Sequence, residues 1–178
     1  MQHYITLYTD GSCINNGKRN SLGGCGIYID TNASFIKKNQ ISFKFSSICV
    51  NEKATNQKTE LLAIAIALKL VKKVTNKYPN LNVKFTIITD SLYSLKCTTE
   101  WIKKWEANGW ITSNKNPVKN QTLLKAIHKL SKDLPMVTFK HVRSHRKKPN
   151  NVSEESEVYK KWYGNHMADK LARNAASA

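Results

Sequence analysis

The sequence predicts an α/β fold whose sheet opens as an antiparallel meander and continues in parallel βαβ units. Three observations predict it. Three alternating apolar segments lie ahead of Val50 with only short polar links between them. The two later strand patterns each follow a helical pattern long enough to carry a crossover. A length of 178 residues with 40% hydrophobic content is enough to bury one core of ordinary size, so a single domain is expected over residues 1–178.

The first strand is read at residues 3–9 (HYITLYT), where apolar and polar side chains alternate. Residues 11–17, bounded by Gly11 and Gly17, read as a turn-rich link. A second strand is read at 22–30 (LGGCGIYID), whose glycines permit close backbone approach, and a third at 40–48 (QISFKFSSI). Leu61, Leu62, Ala65, Leu68 and Val71 recur at helical spacing in a stretch rich in Ala, Leu, Ile and Lys, which gives a helix at 59–73 ended by Pro79 and Asn80. Residues 83–89 (VKFTIIT) are apolar enough for a buried strand. Helices follow at 92–105 and 121–134, the last strand at 136–142, and an alanine-rich helix at 165–176 after a polar stretch from 144 to 163. In sheets of this kind ligands sit beyond the carboxyl ends of parallel strands. Asp10 follows the first strand and Asp90 the fourth, so placing those strands side by side would bring the two carboxylates together.

Lys and Arg number 29 against 12 Asp and Glu, a formal charge of +17 that calls for a polyanionic partner. No apolar run approaches the roughly 18 residues a membrane helix needs, and no signal peptide precedes the first strand, so neither a membrane partner nor secretion is expected. Cys13, Cys25, Cys49 and Cys97 form no CxxC pair and suit reduced thiols, which favours an intracellular location, cytoplasmic or nuclear. The sequons at Asn32, Asn120 and Asn151 carry little weight without a secretory route.

Acidic residues are scarce, and an Asp placed directly after a buried strand is costly unless paired, hydrogen-bonded or bound to metal. Asp10 and Asp90 both occupy such positions, each before a small residue, although either alone would also serve as a turn or helix cap. Glu60 lies early in a helix otherwise occupied by Leu, Ala and Ile, and Asp169 lies on the last helix. Taken together, YTDGS at 8–12, ATNQKTE at 54–60, TDS at 89–91 and GNHMAD at 164–169 make the chain resemble type 1 ribonuclease H over nearly its whole length. The resemblance implies a mixed five-stranded sheet with flanking helices and an active site of Asp10, Glu60, Asp90 and Asp169. It implies an endonuclease that cuts the RNA strand of an RNA–DNA hybrid. Four carboxylates suit two Mg²⁺ ions, with Mn²⁺ as a substitute, and hydrolysis assisted by two ions leaves 5′-phosphate and 3′-hydroxyl ends. His145 matches the family's loop histidine, a proton shuttle or product-release aid. Here the usual short link from that histidine to the final helix is replaced by an insertion at 146–163, which includes KKPNN and Glu154, Glu155 and Glu157. His141, His145 and His166 lack compact ligand spacing, so no zinc site is expected.

The segment at about 98–119 interleaves Trp101, Trp105 and Trp110 with Lys103, Lys104, Lys115 and Lys119. It resembles the family's basic protrusion, with tryptophans mostly structural and lysines mostly set against phosphates. By the same resemblance Ser12, Cys13, Asn16, Asn56 and Gln57 would read ribose hydroxyls, and Lys53, Thr55 and Asn120 would hold a DNA-strand phosphate. Two other readings stay open: a non-catalytic hybrid-binding module, and another nuclease of this fold such as a resolvase, integrase-like nuclease or exonuclease. The expected partner is an RNA–DNA hybrid and the expected state a monomer.

Overall fold

The computed structural model describes all atoms of residues 3–33, 53–80, 82–144 and 146–178, and the backbone of residues 39–46. Its elements are β1 (His3–Ile14), β2 (Leu22–Thr31), β3 (Asn39–Ser46), α1 (Asn56–Lys77), β4 (Val83–Thr89), α2 (Leu92–Lys96), a π-helical turn (Cys97–Trp101), α3 (Ile102–Ala107), α4 (Gln121–Lys132), β5 (Val137–His141) and α5 (Glu157–Ser177). The mixed sheet runs in the order β3-β2-β1-β4-β5. β1 pairs antiparallel with β2 and parallel with β4, which in turn is parallel to β5.

Strand alternation sorts the side chains into two layers. Ile5, Leu7, Phe85 and Ile87 face α1 and α4, packing against Leu61, Ile64, Leu68, Val71, Leu124 and Ile127. Each such fully buried side chain contributes about 1.5–3 kcal/mol. Tyr8 and Ile88 point the other way, toward Ala168 of α5. That helix lies directly on β2 because Gly26 has no side chain: a Cβ there would fall on the Ala168 carbonyl oxygen and the Ala172 nitrogen.

Four elements depart most from the sequence expectation. β1 does not stop at Thr9 but continues to Ile14, pairing with β2 as far as Leu22; the glycine that suggested a turn is there for close packing instead. α1 starts earlier, at Asn56, because Thr55 Oγ1 accepts from the Lys58 N–H and caps it. It runs on to Lys77 before Pro79 stops it. The single helix expected at 92–105 is interrupted by the π-helical turn. α5 begins at Glu157, so the insertion at 146–163 is loop only in its first part. Ser156 caps this start, accepting from the Tyr159 N–H, with Glu157 in the first turn.

Candidate active site

The parallel ladder of β1 and β4 ends at Thr9 paired with Thr89. Asp10 and Asp90 therefore come next on adjacent strands, which lie about 4.8 Å apart. The two threonines are fully buried and tie the ladder's end: Thr9 Oγ1 donates to the Ile88 carbonyl at 3.2 Å, and the Ser91 N–H donates to Thr89 Oγ1 at 3.1 Å. Past this point β1 continues along β2, while the other chain segment turns into α2, capped by Ser91. The sheet edge opens there.

Glu60 reaches the same edge from the second turn of α1. Gly11 makes this possible, since a Cβ at residue 11 would fall on the Glu60 nitrogen and the Thr59 carbonyl carbon. The Gly11 N–H donates to Asp10 Oδ1 at 2.8 Å and the Cys25 thiol donates to the Thr59 carbonyl at 3.3 Å, so β1 and β2 both fix the helix start. The Cys25 thiol is pushed up to about 12, chiefly by burial, and stays a protonated donor. Gly11→Ala is expected to shift the first turns of α1 and weaken Mn²⁺ binding by about 10–100-fold. Calorimetric titration checks this, and an unaltered affinity would contradict the close-packing account.

One carboxylate oxygen each of Asp10, Glu60 and Asp90 lies within 4.8 Å of the other two. Burial, then the Asp90 charge, push the Asp10 carboxyl up to about 7. Glu60 is held well above the usual carboxylate range, first by burial and then by Asp10, to which it donates its proton. Its Oε2 is buried with no hydrogen-bond partner. Three crowded carboxyls, one with an orphaned oxygen and all with hard donor atoms, fit a divalent cation such as Mg²⁺ or Mn²⁺.

Asp169 stands outside this tight group. Its Oδ2 accepts from Arg173 Nη2 at 2.5 Å, one helical turn on, yet its charge still acts on Asp10. Asn165 Nδ2 donates to Asp90 Oδ2 at 3.4 Å, and its buried Oδ1 has no partner. His141 sets Nε2 3.1 Å from the Asp90 carbonyl oxygen. Sequence reasoning missed Asn165 and Arg173 as site residues. The first lies inside the GNHMAD motif and the second four residues after Asp169, which are the signals that could have found them. His145 lies outside the described residues.

The residues assigned to nucleic acid fall into separate patches. Ser12 and Cys13 are half-buried on the β1 extension. Asn16, Asn56 and Gln57 are exposed nearby, and Asn16 Oδ1 accepts from the Asn56 N–H at 3.1 Å, joining the β1–β2 turn to the start of α1. Lys53 is exposed beside the cap Thr55, whereas Asn120 holds a left-handed conformation at the start of α4. Trp101 and Trp105 pack together at 5.8 Å against the core, with Lys103, Lys104 and Lys115 exposed. The division into structural tryptophans and solvent-facing lysines is therefore present in the fold.

Sheet order and acid placement define a class: α/β proteins with carboxylates gathered at the carboxyl ends of two adjacent parallel strands, suited to hard cations. The RNase H family model matches residues 2–177, so the chain belongs to the ribonuclease H family and is an enzyme of that family. It is 33% identical over 171 residues to Ribonuclease H of Schizosaccharomyces pombe, covering 96% of this chain and 52% of that protein. Identity is also 33% over 171 residues with Ribonuclease H of Ruthia magnifica, where the coverage is 96% and 94%. The chain thus spans about half of the fungal relative and nearly all of the bacterial one. Among solved structures, the prototype foamy virus RNase H domain superposes with a TM-score of 0.71 at 27% identity, covering 99% of this chain and 96% of that one.

Proposed function

We propose that this protein is an endonuclease that hydrolyses the RNA strand of RNA–DNA hybrids with the aid of two divalent cations, Mg²⁺ or in its place Mn²⁺. One observation carries the reading: the oxygens of Asp10, Glu60 and Asp90 converge at the open sheet edge of a ribonuclease H family chain, with Glu60 Oε2 left without a partner. Asp10, Glu60 and Asp90 would hold the cations, with Asp169 completing the set through the oxygen that Arg173 does not hold. When bound, the cations supply an acidified attacking water and charge stabilisation at the leaving 3′-oxygen. The Gly11 N–H orients the Asp10 carboxylate, and the Asn165 amide orients that of Asp90. His145 is assigned the proton carried to or from the leaving group, for which an ordinary histidine is suited near neutral pH. Hydrolysis by water, without a covalent protein intermediate, leaves 5′-phosphate and 3′-hydroxyl ends.

Selectivity for RNA falls to Ser12, Cys13, Asn16, Asn56 and Gln57, small polar groups beside the acids that suit ribose hydroxyls in an A-like minor groove. Lys53, Thr55 and Asn120 are assigned a DNA-strand phosphate. Lys103, Lys104 and Lys115, carried on the packed tryptophans, are assigned further phosphates. Neutralising those three lysines should weaken hybrid binding and flatten its log-log salt dependence by about 0.9 for every phosphate that goes unneutralised. An unchanged slope would remove them from the interface. On this reading residues 1–178 act as one catalytic domain, monomeric and intracellular.

The test is cleavage of end-labelled RNA in a hybrid, with duplex DNA and duplex RNA alongside, in Mg²⁺ and in EDTA. Cutting is expected only of hybridised RNA and only with the cation. Intact RNA throughout would indicate a binding module, and cut duplex DNA a resolvase-like activity.

A further inference from the structure

Beside the acid cluster lies a second feature that the proposed reaction does not use. A cavity of about 560 Å³ opens between Val142, Arg143, Arg146, Lys147 and Pro149 on one side and α5 on the other, and shares Asp90 and Asp169 with the acid site. Away from those carboxylates its wall sets five cations, Arg143, Arg146, Lys147, Lys161 and Arg173, among the apolar groups of Val142, Pro149, Val158 and Trp162. Two of the five cations are already engaged, Arg173 with Asp169 at 2.5 Å and Lys161 with Glu157 at 3.1 Å. Among the described residues, no carboxylate pairs with Arg143, Arg146 or Lys147. Three unneutralised cations converging on one concave surface repel one another, a cost that an anion would relieve.

This wall is built into the fold. Trp162 Nε1–H donates to the Arg146 carbonyl at 3.0 Å, and the Trp162 ring stacks on His166 at 5.3 Å with an interplanar angle of 11°. Tyr159 stacks on Tyr163 at 5.9 Å, and Tyr163 meets Tyr28 of β2 edge-on at 5.5 Å. An aromatic chain therefore anchors the insertion to the sheet and ties the Arg146 backbone to α5. The cavity has the size of a nucleotide unit rather than of a lone ion. Arginine presents a planar fork matched to phosphate oxygens.

We infer that this cavity is a phosphate subsite in which Arg143, Arg146 and Lys147 hold the nucleic-acid backbone immediately beside the bond cut at the acid cluster. The inference rests on the proposed hybrid cleavage for its ligand, and it gives the insertion a role in gripping the substrate next to the reacting phosphate.

The test measures affinity for a labelled RNA–DNA hybrid over a salt series in EDTA, where the strand stays whole. The variant carries Arg143→Gln, Arg146→Gln and Lys147→Gln. A control removes the same charge from the exposed outer stretch of α1 through Lys69→Gln, Lys73→Gln and Lys77→Gln. The site variant is expected to bind about tenfold more weakly or worse, with a salt slope flattened by about 0.9 for each phosphate it no longer neutralises, while the control keeps the wild-type slope. Arg143→Gln and Lys147→Gln made singly should each remove part of the slope with an unshifted thermal midpoint, which separates a weakened phosphate grip from misfolding. In Mg²⁺ the site variant should show a raised KM and a kcat near wild type. A wild-type slope in the site variant, or an equal loss in the control, overturns the inference. Failure of the wild-type protein to cut hybrid in Mg²⁺ would instead overturn the proposed function, whatever the slopes.

Discussion

Asp10→Asn should reduce hybrid cleavage by about a thousandfold or more, some 4 kcal/mol of barrier, while hybrid binding in EDTA survives. Asp10 is the most deeply placed of the three converging acids, 6% exposed, and the Gly11 N–H fixes one of its oxygens. Asparagine keeps the shape and that hydrogen bond but loses the anionic donor that a hard cation requires. Single-turnover cleavage of labelled RNA gives the rate, and anisotropy of a labelled hybrid gives the affinity. A variant within tenfold of the wild-type rate would mean that the acid cluster is not where the chemistry occurs.

The same carboxyls should make the protein in EDTA less stable as the pH rises from about 4 to about 7, and divalent cation should restore the loss. The Asp10 carboxyl is raised from its ordinary value to about 7, and Glu60 moves in the same direction. Across that window the folded state holds protons that the unfolded chain has released, so stability is full below the unfolded value and declines with increasing pH. For Asp10 the loss is on the order of 2–4 kcal/mol, or roughly 5–15 °C in thermal midpoint for a chain of this length. Asp10→Asn should flatten the profile and melt higher than wild type above pH 7 in EDTA. Cation binds the ionised cluster in competition with protons, so Mn²⁺ should raise the wild-type midpoint more at pH 8 than at pH 5. A wild-type midpoint that rises with pH across this window, with Asp10→Asn following it, would contradict the crowding of buried acids.

The meeting of Asp10 with Asp90 was legible because each follows an apolar strand, and βαβ connectivity leaves parallel strands few arrangements. Glu60 was legible only through its motif. Helical spacing alone sets it as a lone acid on the apolar face of Ala63, Ile64, Ala67 and Leu68, and what lets that face close on the acids is the missing side chain at Gly11, a tertiary fact that no local pattern carries. Gly11 also hid the continuation of β1, since a glycine beside Asp and Ser reads locally as a turn. The start of α5 was hidden in a similar way: Gly164 and the charged run before it suggested a loop, whereas Ser156, Glu157 and the stacked rings of Tyr159 and Tyr163 build two further turns. The cationic wall of Arg143, Arg146 and Lys147 was visible as charge but not as a cavity, because the Trp162 hydrogen bond that shapes it spans 16 residues.

The most direct test of the central claim, that Asp10, Glu60 and Asp90 form a cation-binding cage, is anomalous diffraction from crystals soaked in Mn²⁺. The expected map has its strongest peak within coordination distance of oxygens from all three residues, and the peak is lost in Asp10→Asn crystals. Strong manganese peaks elsewhere, with none among these three carboxylates at saturating Mn²⁺, would contradict it.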